Sequence, residues 1–263
     1  MDPHEINAPK PDGPAALLDT FYSGDVGMWR TVLGEGLHYH HGLFADTPAP
    51  EPTDAEMLAA VRRAVEELYP FIPPASRVYD LGCGWGGPLA MLALERGCEV
   101  TGVTAARGQF QHAVGQGFKV LHADAEHTLP PGDFDSVLML ESFEHIQEKS
   151  RLLRLLRPVA RRLVMRTNCQ DAAPPEVRFG GTMPMVSSTT LRAILTEAGW
   201  TIRHWRDRRA EAMPSAAFWR RRLRSLAPGG DLHMDVLRVW CDRIVTLGDA
   251  WGRCNPLIEI VAD

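Results

Sequence analysis

The order of apolar runs along this chain predicts a doubly wound α/β fold, a mostly parallel sheet with helices on both faces. Three observations predict it. From Arg77 onward, short apolar runs alternate with stretches of helical periodicity. The run Val78-Tyr79-Asp80-Leu81 passes into Gly82-Cys83-Gly84-Trp85-Gly86-Gly87, a buried strand turning sharply into a helix start. Glycines there let backbone approach a ligand closely, beside the free N–H groups of a helix N-terminus. The third observation is that successive strands end in polar residues.

Residues 1–14 carry four prolines and no apolar pattern, and are expected to be a mobile tail. Ala15 to Leu33 reads as helix, interrupted by Gly24 and Gly27. A segment from Gly36 to Phe44 contains His38-Tyr39-His40-His41. After a proline-rich link, Thr47 to Pro52, comes an amphipathic helix ending at Leu68 and capped by Thr53 or Asp54. Residues 15–70 are therefore expected to form an N-terminal helical lid. Strands are predicted at 77–81, 98–103, 118–122, 134–140, 161–167, 201–205 and 257–262, with helices near 86–96, 107–114, 145–157 and 188–198. This places a cofactor-binding core at 71–205. Between the last two strands, 215–247 looks helical, so 206–256 reads as a cap inserted before the last core strand, 257–263. The cap, the 168–187 loop and the N-terminal segment would lie over the carboxyl ends of the strands, where open α/β sheets bind ligands.

Composition narrows the partners. The chain has 263 residues, 45% hydrophobic, and a net charge of -5, which suits one large or capped domain and implies no attraction to nucleic acid. No apolar run approaches the ~20 residues of a membrane helix, and no basic-then-apolar leader opens the chain. Stable membrane association is not expected. The five cysteines are odd in number and form no CxxC pair, which argues against disulfides or a zinc site and for a reducing cytoplasm. No internal repeat is visible. Heavy use of Ala, Arg, Pro and Gly points to a high-GC bacterium. The oligomeric state is left open, with a homodimer as one candidate.

The strand tips identify the ligand class. A dinucleotide site wants GxGxxG and an acid ending the second strand. Here the turn is GxGxGG and the second strand ends in Thr104. The Thr104 hydroxyl and the Gln109 amide suit a ribose. Asp124, after the third strand, suits the amine of an adenine. The fourth strand ends in Glu141-Ser142. Four such tips fit a nucleoside laid across the sheet edge. Nothing matches GxxxxGK[ST], which argues against a nucleotide triphosphate.

With these blocks in place the chain resembles the S-adenosylmethionine-dependent methyltransferases of the Rossmann-like class I kind. The resemblance is to the branch holding tocopherol and sterol methyltransferases, cyclopropane fatty acid synthases and alkaloid N-methyltransferases. Four blocks between about residues 20 and 167 carry it: Tyr22 with Trp29, Gly34 and His40-His41-Gly42-Leu43-Phe44; Asp80 to Gly87; Val100-Thr101-Gly102-Val103-Thr104 with Gln109; and Glu141-Ser142-Phe143-Glu144-His145-Ile146 followed by Lys149. Ala105-Ala106-Arg107 replaces the family's usual Leu-Ser-Pro. Arg166 stands near where the cyclopropane synthases keep a histidine. The resemblance implies a Rossmann-like seven-stranded sheet, S-adenosyl-L-methionine as cofactor and a small-molecule acceptor, in specialised metabolism. It also implies that Asp80, Gly82 and Gly84 lie under the methionyl part, that Thr104 and Gln109 face the ribose, and that Asp124 and Ala125 meet the adenine. Glu141 and Ser142 would lie near the amino acid end or the transfer centre.

Methyl transfer needs an oriented, electron-rich acceptor and little water. Glu144 and His145 are the expected base or orienting pair, with Glu141, Tyr39 and His40 as further catalytic candidates. The blander reading has Glu144 capping a helix that begins there and His145 packed beneath it. His38, His40 and His41 lack an accompanying carboxylate or cysteine at ligand spacing, so no metal is expected. The arginines at 203, 206, 208, 209, 220, 221, 222 and 224 suit either an anionic acceptor or a solvated helix face or subunit contact. Met183, Met185, Phe218, Trp219 and Trp240 suit an apolar pocket or plain core packing. Cys83 reads as a space-filler. Two rivals to methylation of a small molecule at N, O, S or C remain. One is C-methylation of an anionic prenyl diphosphate or quinone-like acceptor. The other is a cofactor-binding protein that performs a non-transfer reaction.

Overall fold

The apolar runs become one seven-stranded sheet in a computed structural model that describes residues 13–45, 51–130, 132–172 and 183–263. Nearly all of the expected tail, most of the proline-rich link and positions 173–182 of the 168–187 loop lie outside the described residues.

Helices α1 (Pro14–Tyr22), α2 (Val26–Leu33) and α3 (Asp54–Glu66) precede the sheet. Gly24 lies in the break between the first two; Gly27 falls inside α2. Thr53 is the cap of α3: its hydroxyl accepts the Glu56 N–H while the Glu56 carboxylate accepts the Thr53 N–H. The core follows as β1 (Arg77–Leu81), α4 (Gly87–Arg96), β2 (Glu99–Thr104), α5 (Arg107–Gly115), β3 (Val120–His122) and β4 (Phe134–Leu140). Next come α6 (Lys149–Leu156), β5 (Ala160–Asn168), α7 (Ser188–Glu197) and β6 (Ile202–Asp207). The insertion contains α8 (Arg209–Ala212), α9 (Pro214–Leu223), α10 (Leu232–Leu247) and α11 (Asp249–Cys254), and β7 (Leu257–Ala262) ends the chain.

One element departs from expectation. The helix predicted over 145–157 starts only at Lys149, and Phe143–His145 is a short 3₁₀ turn. The cause lies in competing partners. The Glu126 carboxylate accepts the N–H groups of Gln147 and Glu148, and the Lys149 ammonium donates to the carbonyls of Glu144 and Ile146. Backbone groups that would pair along a helix are bound elsewhere.

The strand order is β3-β2-β1-β4-β5-β7-β6. Pairings from β3 through β5 are parallel, and β7 runs antiparallel to both its neighbours. Chain direction across the sheet reverses between β1 and β4, the switch point at which a crevice opens beyond the strand ends. Tyr79, Leu81, Met139, Leu153 and Trp200 pack one face, and Val78, Leu89, Leu92, Leu138 and Val164 the other.

A separate apolar cluster joins the N-terminal helices to the insertion, through Trp29, Val32, Met57, Phe218, Trp219 and Leu237. Polar contacts dock both onto the core. The first N–H groups of α5 have no side-chain cap of their own, and α1 supplies it. Asp19 accepts the Arg107 N–H at 2.7 Å and the Ser23 hydroxyl accepts the Gly108 N–H at 3.0 Å. On the far side, Glu259 of β7, 2% exposed, takes Arg166 of β5 at 2.5 Å and Arg208 at 3.1 Å. Arg208 also pairs with Glu67 and Glu211. Among the described residues no helix is long and apolar enough to cross a membrane.

Removing the shared anion leaves the buried Arg166 guanidinium without a carboxylate partner, while Arg208 keeps Glu67 and Glu211. Glu259→Gln is expected to lower the unfolding free energy by about 3 kcal/mol, read from urea midpoints. Its neighbouring arginines hold the Glu259 carboxyl below its ordinary value despite burial. Its contribution is therefore present above the unfolded-state value and is lost as the pH falls through the folded one. The gap between wild type and variant should narrow in acid.

Candidate active site

The tips of β1 to β5 open into one cavity of about 190 Å³, roofed by α1, the 39–41 segment and α10. Leu81, Gly82, Gly84, Thr104, Gln109, Asp124, Ala125, Glu141, Ser142, Glu144 and His145 line it, with Tyr39 and His40 in its roof. The structure thus brings every sequence-predicted site residue but one to a single space. Asp80 lines a small side pocket with Gly82 and Gly84.

At the β1 tip, the Gly82 and Cys83 N–H groups both donate to the Val103 carbonyl at 3.0 Å, which folds the turn back on β2. Gly82 has φ +86°, and a Cβ there would lie 2.3 Å from the Ser142 Cβ. Glycine is required on both counts. Burial pushes the Asp80 carboxyl up to about 7, and its Oδ2 has no hydrogen-bond partner in the fold.

At the β2 tip, Thr104 and Gln109 are joined to each other. Thr104 Oγ1 donates to Gln109 Oε1 at 2.8 Å and accepts the Ala106 N–H at 3.2 Å. Thr104 is a support for Gln109, and the Gln109 NH₂, beside Gly84, is the group left to face a ligand. At the β3 tip, Asp124 accepts the Glu126 N–H at 2.9 Å and His127 Nδ1 at 3.0 Å.

Two carboxylates at the β4 tip sit in opposite states. Glu141 adopts φ +54°, uncommon for a side-chain-bearing residue. The His41 N–H and Nδ1 donate to its two oxygens at 2.9 and 2.5 Å. Burial favours its neutral form, but the His41 ring opposes this and brings the carboxyl down to about 2. Glu144 is buried as deeply. Its Oε1 accepts the N–H and Nδ2 of Asn168, each at 2.6 Å, while Oε2 has no partner. Burial and the nearby Glu141 charge push it up to about 7. The helix-cap reading of Glu144 is corrected: its carboxylate bonds β5, and Glu126 holds the approach to α6 instead.

His145 Nε2 shares a hydrogen bond of 2.9 Å with the Tyr22 hydroxyl, and Tyr39 one of 2.8 Å with His233 Nε2. His40 lies in the cavity wall with both nitrogens engaged, Nδ1 on the His41 carbonyl and Nε2 on His38 Nδ1. Burial lowers His40 to about 4 and His233 to about 3, so both rings are neutral near pH 7. The fold does bring a carboxylate, Glu141, to the histidine segment. Among the described residues no group of three metal-ligating side chains is assembled.

None of the arginines of the basic stretch lines the described part of the cavity. Arg208 and Arg209 are buried in polar networks rather than on a solvated face. Arg203, Arg206, Arg220, Arg221, Arg222 and Arg224 pair with Asp263, Glu211, Asp242, Asp54 and Glu51. Met183, Trp219 and Trp240 line the cavity, whereas Phe218 packs within the cap. Sequence reasoning missed Asn168 and His233. Asn168 ends β5 and obeys the same strand-tip rule that found Asp124. His233 follows the Asp231 cap of α10, and no local signal connects it with Tyr39 across 194 positions.

The chain is similar to known proteins. A family profile described as a methyltransferase domain matches residues 79–163. The chain is 29% identical to a chloroplastic tocopherol O-methyltransferase of Arabidopsis thaliana over 53% of its own length and 44% of that protein. It spans about half the length of the tocopherol methyltransferases it matches. It is 29% identical to an O-methyltransferase of Penicillium expansum, covering 78% of this chain and 79% of that one. Among solved structures, a cyclopropane synthase from Mycobacterium tuberculosis superposes with a TM-score of 0.82 over 95% of this chain and 98% of that one, at 13% identity. That likeness is one of fold.

The Gly82 geometry makes a direct prediction. Gly82→Ala should destabilise the chain by more than about 1 kcal/mol, because alanine is strained at this φ and its methyl meets Ser142. A thermal melt checks it. Ala at Gly115, where no neighbouring atom lies within 4 Å of the added Cβ, is the control.

Proposed function

We propose, from the match of residues 79–163 to a methyltransferase-domain profile and from the O-methyltransferase relatives, that the chain is a class I S-adenosylmethionine-dependent methyltransferase and that it methylates a small molecule at an N–H or O–H group. One observation carries the reading: the glycine turn, the nucleoside-type strand tips and the Glu144–Asn168 assembly all open into the same cavity.

The residues present fit the cofactor. Asp80 has a buried oxygen without a partner beside the Gly82–Gly84 turn, which suits the ammonium of a methionyl group. The Gln109 amide and Asp124 stand at the tips of β2 and β3, where a ribose and an adenine would be held. When bound, S-adenosylmethionine supplies a methyl group activated by a sulfonium, which leaves as a good thioether.

The chain's own residues then orient the acceptor, exclude water and receive its proton. Trp219, Trp240, Phe21 and Met183 provide apolar walls. Glu144 Oε2 takes the N–H or O–H proton as the acceptor's lone pair is freed for the methyl carbon. A carboxyl pushed up to about 7 suits this role near neutral pH. Tyr22 and His145, joined by their hydrogen bond, orient the acceptor beside it.

The charge of the lining also bears on the acceptor. The described lining contains Asp124, Glu126, Glu141 and Glu144 and no lysine or arginine. A neutral or cationic acceptor fits such a wall, and a diphosphate without a bridging cation does not. This favours an amine or phenol over an anionic prenyl acceptor.

Calorimetry should show binding of both S-adenosylmethionine and S-adenosylhomocysteine; no affinity for either would end this reading. In a panel of amines and phenols, Glu144→Gln should lower kcat about 100-fold or more while leaving cofactor affinity intact. Because the ionised carboxylate is the active form, wild-type kcat should rise with pH through about 7, and this limb should disappear in the variant.

A further inference from the structure

We infer that Asn168 and Arg209 are positioning residues for Glu144: they grip one of its oxygens through a donor that cannot turn round, and leave the other for the acceptor. The inference rests on the reading of Glu144 as the group that receives the acceptor's proton.

Asn168 closes β5, and both its N–H and its Nδ2 donate to Glu144 Oε1 at 2.6 Å. A carboxamide has two faces. Turned the other way, it would set its oxygen against the carboxylate, which favours the protonated acid. Arg209 decides the orientation. Its Nη2 donates to Asn168 Oδ1, and a guanidinium has donors only. The amide oxygen must therefore face Arg209 and the NH₂ must face Glu144. Arg209 is itself fixed, 3% exposed, with Nε donating to the Asn255 carbonyl at 2.6 Å.

The chain of contacts continues to the second carboxylate. Arg209 Nη1 lies 3.5 Å from His41 Nε2, and His41 Nδ1 donates to Glu141. Three distant segments thus set the orientation of both carboxylates. Among the described residues, Asn168 is the side chain that donates to the Glu144 carboxylate, and both its donors fall on Oε1.

Other groups face Glu144 from every side. Glu141 acts from β4 and raises its pKa, and the Glu144 charge in turn bears on Tyr22 of α1, Lys149 of α6, Cys169 beyond β5 and Arg209 of α8. The Asn168 donors oppose burial and Glu141, so removing them moves the carboxyl further up.

Infrared difference spectra of the protein saturated with S-adenosylhomocysteine, taken against pH, read this directly. The carboxylic acid band missing from Glu144→Gln reports Glu144. Asn168→Leu should raise its titration midpoint by about one pH unit. Arg209→Met should raise it as well, and Arg209→Lys should return it most of the way, since an ammonium still donates to Oδ1. An unmoved midpoint in Asn168→Leu, or equal shifts in Arg209→Met and Arg209→Lys, overturns the assignment. Asn168→Leu keeps the branched outline of the side chain and the backbone donor, and it changes no charge. It decides the Asn168 role even if Arg209→Met does not fold, and Arg209→Lys then tests the Arg209 role alone. No acceptor enters this measurement. Its failure removes the positioning role alone, whereas undiminished turnover in Glu144→Gln removes the reading beneath it.

Discussion

The two hydrogen bonds from His41 to Glu141 are the joint on which the rest of the molecule depends. They tie the N-terminal segment to the tip of β4, at a residue whose backbone is already bent into the left-handed region. Glu141 is held in that bend from the other side as well, its N–H donating to the Arg166 carbonyl at 2.7 Å. A charge-assisted contact in a buried place is short, strong and intolerant of displacement. With the 38–44 segment pinned there, Tyr39 falls against His233 and His40 against His38. The roof of the cavity is a consequence of that placement.

The lid and the insertion need this help because their helices are short and share one apolar cluster. Burial of Trp29, Trp219 and Leu237 is non-directional and does not set an orientation. Orientation comes from polar anchors at three corners: Asp19 and Ser23 on the start of α5, His41 on Glu141, and Arg208 and Arg209 on the strand ends. Each anchor satisfies backbone or charged groups that would otherwise be stranded, so each resists removal more than its net contribution would imply.

The electrostatic character of the cavity arises from a difference between two neighbours. Glu141 and Glu144 are three positions apart and equally deep. One has a histidine beside it and drops to about 2; the other has a neutral amide and rises to about 7. Pairs of titratable groups pushed apart in this way suit the roles proposed for them, a lasting anion at Glu141 and a proton acceptor at Glu144. The permanent charge on Glu141 is also one cause of the raised value on Glu144, so the two roles are coupled.

The sequence by itself determined the sheet, its switch point and the polar tips, because alternating apolar runs and a glycine turn are local signals with few foldable solutions. Asp80, Gly82, Thr104, Asp124 and Glu141 were all legible as strand ends. What Thr104 does with its hydroxyl was not, since Gln109 competes for it only once α5 is in place. The start of α6 was misplaced for a similar reason, a carboxylate from the β3 loop capturing its N–H groups. Only the tertiary structure decided that two arginines of the basic stretch are buried anchors, that Asn168 grips Glu144, and that His233 closes over Tyr39. Those contacts join side chains 24 to 194 positions apart, and no periodicity or spacing encodes a pairing that depends on how separate helices come to rest on a shared core.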